Sequence, residues 1–179
     1  MRSKMLSGLV LVMVAGCGSV TSLLDPPEVV PAVELDRYLG KWYEVAHYPT
    51  FFQADCASSI AEYSLGDDGS INVFNSCLAA DGSTASTITG KATVADPTTN
   101  AKLVVSFPSV PFPAPYWIID LGQDYEYAVV SDPLRLTLFI LSRTPTLDQA
   151  TLDGILSRLP DQGYDPARLF YDTPPKTNP

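Results

Sequence analysis

The chain is 179 residues long and acidic, with 11 Lys and Arg against 20 Asp and Glu for a net charge of −9. That balance excludes nucleic acid as a partner, and electrostatic attachment to anionic headgroups with it, because the surface field repels phosphate. A single histidine makes neither a metal centre nor a catalytic triad, and no GxSxG, HExxH or phosphate-cradling glycine loop occurs.

Arg2 and Lys4 precede an apolar run from Met5 to Val14 and the small pair Ala15 and Gly16, the three-part plan of a secretory signal peptide. The run is far shorter than the roughly 20 residues a spanning helix needs. Val14-Ala15-Gly16-Cys17 resembles the lipobox of bacterial lipoproteins, which implies cleavage before Cys17 and acylation of that cysteine. Residues 1–16 are then a lipoprotein signal peptide, and the departure of Arg2 and Lys4 takes the net charge from −9 to −11. Residues 17–33, rich in Ser, Thr and Pro without a sustained period, are expected to form the lipidated N-terminus and a tether.

From residue 34 onward, short apolar alternations are broken by "GDDG", "AADGS", "DPTTN", "PSVPFPAP", "LGQD" and "SDP", each supplying Gly, Pro, Asp or Asn where the chain must reverse. They predict strands near 40–48, 56–65, 70–78, 86–95, 101–107, 115–121, 125–131 and 135–143, an antiparallel meander that closes on itself. In the hairpin around "SLGDDGSI", setting Leu65 opposite Ser70 brings Cys56 within about two residues of Cys77. A Cys56–Cys77 disulfide is expected, with two buried free thiols as the other reading. "TLDQATLDGILSRLP" then changes period. Leu147, Leu152, Ile155, Leu156 and Leu159 make one helical face, with Thr146 or Asp148 as N-cap and Pro160 at the end. That helix should cover an outer wall containing "RLTLFILSR", whose apolar residues do not alternate. "GYDPARLFYD" adds a short strand before a flexible tail at 174–179. The fold class is therefore all-β, an eight-stranded antiparallel up-and-down barrel over 34–173 with one C-terminal α-helix outside.

Gly40-Lys41-Trp42-Tyr43-Glu44 resembles the GxW motif of the lipocalins, preceded by "LDRYL" as in the branch with bacterial outer-membrane lipocalins, plant temperature-induced lipocalins and apolipoprotein D. "YWIIDLGQDYEYAVV", "FILSRTPTL" with its Arg143, and "DQGYDPARLF" follow in the family's order. One departure is Gln123-Asp124 where Thr-Asp is usual, which puts the capping hydrogen bond of that turn in question. The resemblance implies a cup in which Gly40, Trp42 and Arg143 form the floor, the guanidinium lying on the indole. It further implies a fatty acid or lysophospholipid as ligand, no cofactor, no catalytic residue, possible homodimers and a role in envelope lipid maintenance. Gly18, where an aspartate would hold a lipoprotein in the inner membrane, points to the outer membrane, periplasmic face.

If Trp42 faces inward, alternation carries Ala46 and Tyr48 inward with it, and Arg143 brings Leu141 and Phe139. The same parity puts Ala61, Tyr63, Phe74, Val105, Phe107, Tyr116 and Ile118 on the ligand side. Glu44, inward by the same rule, should pair with Arg143 or Lys41, contact with a polar ligand group being the second reading. His47 is expected on the surface near the mouth. "PSVPFPAPYW" lines that mouth, forms a partner surface or is a stiff loop. Two rival functions stand beside the carrier: a lipocalin-like enzyme using Glu44 or a reduced cysteine on a lipophilic substrate, and a structural lipoprotein with a filled barrel.

Overall fold

A computed structural model describes residues 25–174; Cys17, the leader and the last five residues lie outside the described part. A one-turn helix α1 (Leu35–Tyr38) leads into β1 (Gly40–His47), followed by β2 (Ser58–Leu65), β3 (Ile71–Leu78), β4 (Thr84–Val94), β5 (Lys102–Ser106), β6 (Ala114–Leu121), β7 (Tyr127–Ser131) and β8 (Leu138–Ser142). Each pairs antiparallel with the next, and β1 pairs with both β8 and β2, so the eight strands close. All eight expected strands are present, with ends shifted by a few residues. A ninth, β9 (Phe170–Tyr171), adds to β1 at Ala46 and His47.

Helix α2 (Gln149–Arg158) starts at Asp148, whose carboxylate accepts from the Thr151 amide. Pro160 does not stop the chain from coiling; it opens the 3₁₀ turn Leu159–Gln162, ended by left-handed Gly163. Ile155 and Leu159 pack with Leu138 and Ile140 of β8, as expected of the outer wall. Burying each such side chain contributes about 1.5–3 kcal/mol. Arg158 clamps the helix to β6 and β7 through Asp120 and the Tyr127 hydroxyl.

Residues 25–33, expected as part of the tether, lie against the barrel instead. The Val30 amide donates to Ile118 O, and the Val33 amide donates to Thr99 O while its side chain joins the core. Asp25 begins this segment at the opposite end, where its carbonyl accepts from Arg135 in the β7–β8 loop.

Candidate ligand-binding site

One end of the barrel is shut by local sequence. The Trp42 side chain is fully buried, and its indole N–H donates to Tyr38 O at 2.8 Å. Arg143 lies 3.7 Å from the indole ring centre, a contact worth on the order of 1–2 kcal/mol when desolvated. Its remaining donors go to main-chain oxygens of Arg37, Leu39, Lys41 and Tyr125. Gly40 sits at φ +93° there, and an added Cβ would meet Arg143 Nη1 only at 3.5 Å, so backbone conformation rather than crowding requires glycine. In the neighbouring β6–β7 turn, Tyr125 stands at φ +60°. Glu126 caps the Asp124 amide, the role that Gln123-Asp124 left in question.

Above the indole, three tyrosines meet. Tyr38 and Tyr63 stack with ring centres 6.0 Å apart, and both hydroxyls bond the Tyr116 hydroxyl, at 2.7 and 3.1 Å. Burial holds the Tyr38 and Tyr116 phenols well above their ordinary pKa and pushes Tyr63 up to about 12. These groups are neutral hydrogen-bonding walls. Gly90 of β4 faces the interior opposite Val73, and a Cβ there would strike the Phe107 ring at 2.5 Å, so the missing side chain lets that ring fold inward.

The other end is polar. His47 Nδ1 lies 2.9 Å from Glu44 Oε1 and 3.0 Å from Asp172 Oδ1, dividing its N–H between two carboxylates. Gln53 donates to Glu44 Oε1 and Ser59 Oγ, and the Ser59 amide donates to Asp172 Oδ2. Burial alone would lower the His47 pKa, but the bonds and charges of Asp172 and Glu44 override it and raise it to about 10. Burial raises the Glu44 pKa, partly offset by His47. Ligand atoms of Glu44, His47 and Asp172 come within 4.8 Å of one another, as a metal would need. Nδ1, however, holds its proton tightly and the oxygens already have donors, so the set suits a proton better than a metal. Deeper, on the inward face of β3, Asn75 Oδ1 is buried with no hydrogen-bond partner.

A closed eight-stranded meander, with GxW under an arginine and one outer helix, is the architecture that the motifs anticipate. Residues 33–174 match the lipocalin-like domain. The chain belongs to the lipocalin family. This lipocalin is 36% identical over 162 residues to the outer membrane lipoprotein Blc of Escherichia coli, covering 89% of each chain. It is 35% identical over 163 residues to temperature-induced lipocalin-1 of Arabidopsis thaliana, covering 84% of this chain and 87% of the relative. Insecticyanin from the tobacco hornworm Manduca sexta shares its fold, with a TM-score of 0.65 at 21% identity over 83% of this chain and 85% of that one.

Of the side chains expected inside the lipocalin's barrel, Ala61, Tyr63, Val105, Phe107, Tyr116, Ile118, Phe139 and Leu141 do pack with the interior cluster around Trp42. Ala46, Tyr48 and Phe74 do not. In β1, Glu44 opposes Leu141 and Ala46 opposes Ile140, so Val45 is a bulge residue that shifts the alternation by one. Ala46 and Tyr48 therefore turn outward beneath α2, where the Tyr48 hydroxyl meets the Asp165 amide and carbonyl. The same shift turns His47 inward, against the expectation of a surface residue. It also corrects the pairing of Glu44, because Arg143 is held by carbonyls and Lys41 pairs with Glu62. Phe74 fails for another reason: Leu65 opposes Ile71, not Ser70, and a one-residue slip exchanges the faces of a strand. Phe74 is 40% exposed on the outside, and Asn75 takes the inward place. Cys56 and Cys77 form a disulfide with Cα atoms 5.2 Å apart, which leaves neither thiol for catalysis. Sequence reasoning missed Tyr38, Gln53, Asn75 and Asp172; correct hairpin register alone would have found Asn75.

Proposed function

We propose that this lipocalin binds a small lipophilic molecule with one polar end, a fatty acid or lysophospholipid, and holds it without transforming it. The observation that carries this reading is Asn75 Oδ1, a buried acceptor without a donor, on the interior wall between the aromatic floor and the charged mouth. An unpaired buried acceptor costs about 1–3 kcal/mol, and a ligand hydroxyl bonded to it would recover that. The acyl part would lie along Val73, Val105, Phe107 and Phe139, and the headgroup would stay near Glu44, His47 and Gln53. Lipidation at Cys17 would fix the protein to the outer membrane, a placement supported by the likeness to the E. coli outer membrane lipoprotein.

Native mass spectrometry of the chain purified from its host should show a lipid-sized adduct. The delipidated protein should take up a fluorescent fatty acid, and Asn75→Leu should favour fatty acid over a hydroxyl-bearing lysophospholipid. A ligand-free protein that also ignores the fluorescent probe would sink the proposal.

A further inference from the structure

Leu65 and Phe74 apart, every exposed large apolar side chain among the described residues sits at the mouth end. The β1–β2 loop carries Phe51, 94% exposed, and Phe52; the β5–β6 loop carries Phe112, 77% exposed; the β7–β8 loop carries Leu134 and Leu136; β9 adds Phe170. Three different loops and a strand end thus bring apolar groups to one end of the barrel. Scattered exposed apolar residues need no explanation, but a rim of them does. The β5–β6 loop holds Pro108, Pro111 and Pro113, so little chain entropy is lost when it is pressed against a surface. The four loops at this end contain one basic residue, Arg135, and its guanidinium is engaged by the carbonyls of Gln162 and Asp25.

The contact between Arg135 and Asp25 decides what covers this rim. It places the start of the described chain at the mouth, beside Leu134 and Leu136. Cys17 is eight residues upstream of Asp25, within at most about 28 Å of it. An anchor that leaves the molecule at the mouth brings that end, not the floor, to the bilayer. We propose that the rim is a bilayer-docking surface, and that the lipocalin stands mouth-down with Phe51, Phe52, Phe112 and Leu134 in the headgroup and upper acyl region. The proposal rests in part on lipidation at Cys17. With an acidic chain and no free cation on these loops, docking is by apolar insertion and requires no anionic lipid. The cup would then exchange ligand directly with the membrane that carries it.

The test uses the full chain, produced with its leader and purified from host membranes, then reconstituted into phosphatidylcholine vesicles. Tryptophan is placed at the rim by Phe112→Trp or at the floor end by Leu65→Trp, both exposed positions, and quenching by phosphatidylcholine brominated in its acyl chains is read against the unsubstituted chain. Phe112→Trp should lose about half its added fluorescence or more, and Leu65→Trp none. Equal quenching at both sites, or none at the rim, overturns the proposal. An unquenched rim in a chain that sediments as a dimer, and as a monomer after Phe51→Ser, Phe52→Ser and Phe112→Ser, would assign the surface to a second copy and overturn it equally. Mass analysis of Cys17 keeps the two readings apart. Absence of acyl groups removes the anchor, while rim quenching in that same chain still establishes docking.

Discussion

At the floor, Arg143 directs its donors to four main-chain carbonyls and stacks on Trp42; at the mouth, His47 divides a single N–H between Glu44 and Asp172. The floor joins segments through groups that do not titrate near neutrality. The mouth joins β1, β2 and β9 through His47, whose raised pKa of about 10 keeps the bridging proton in place until alkaline pH. One barrel therefore carries a permanent closure at one end and a protonation-dependent one at the other.

The largest expected effect breaks the floor. Trp42→Ala should cost about 4 kcal/mol of unfolding free energy, and urea titrations should give the same loss at neutral and alkaline pH. Next comes His47→Gln, which leaves two buried carboxylates without their cation and should cost about 3 kcal/mol at neutral pH. Its signature is in the pH profile. With a folded pKa of about 10 against roughly 6.5 unfolded, His47 stabilises fully below the lower value, and that contribution is lost as pH climbs through the higher one. The raised Glu44 pKa has the same sign. Stability of the unsubstituted protein should thus fall on the alkaline side, His47→Gln should flatten that fall, and the Asp172 and Thr173 amides should exchange faster in the variant. The smallest effect lies between the two ends: Tyr116→Phe removes the hydroxyl that links Tyr38 and Tyr63 and should cost about 1 kcal/mol, with no change in pH profile below the range where phenols ionise.

The same division governed what could be read from sequence. Gly40, Trp42 and Arg143 were legible through the resemblance of their motifs to the lipocalins, and the structure sets the Arg143 guanidinium on the Trp42 indole beside Gly40. The eight strands, the outer helix and the disulfide were legible too. Inward positions farther along failed wherever an odd residue entered the count. Val45 in β1 and the five-residue turn 66–70 each shift parity by one, and neither leaves a compositional mark. The polar mouth was illegible for a further reason. Asp172 stands 125 residues from His47, and nothing local announces that β9 will slip between β1 and β2 and take the Val45 carbonyl with the Asp172 amide. Tyr38 was missed because one turn of helix is too short to show a period.

Arg143 has a consequence for how this floor can diverge. Because it grips main-chain oxygens at Arg37, Leu39, Lys41 and Tyr125, Arg143 itself asks nothing of the side chains at those positions; Tyr125 alone among them is buried in the core, where its hydroxyl accepts from the Glu34 amide. A closure that depends on backbone shape can be specified by very few letters: a glycine, a tryptophan and an arginine placed a hundred residues later. Descendants of this chain could come to look unlike it almost everywhere and still be sealed at the same end.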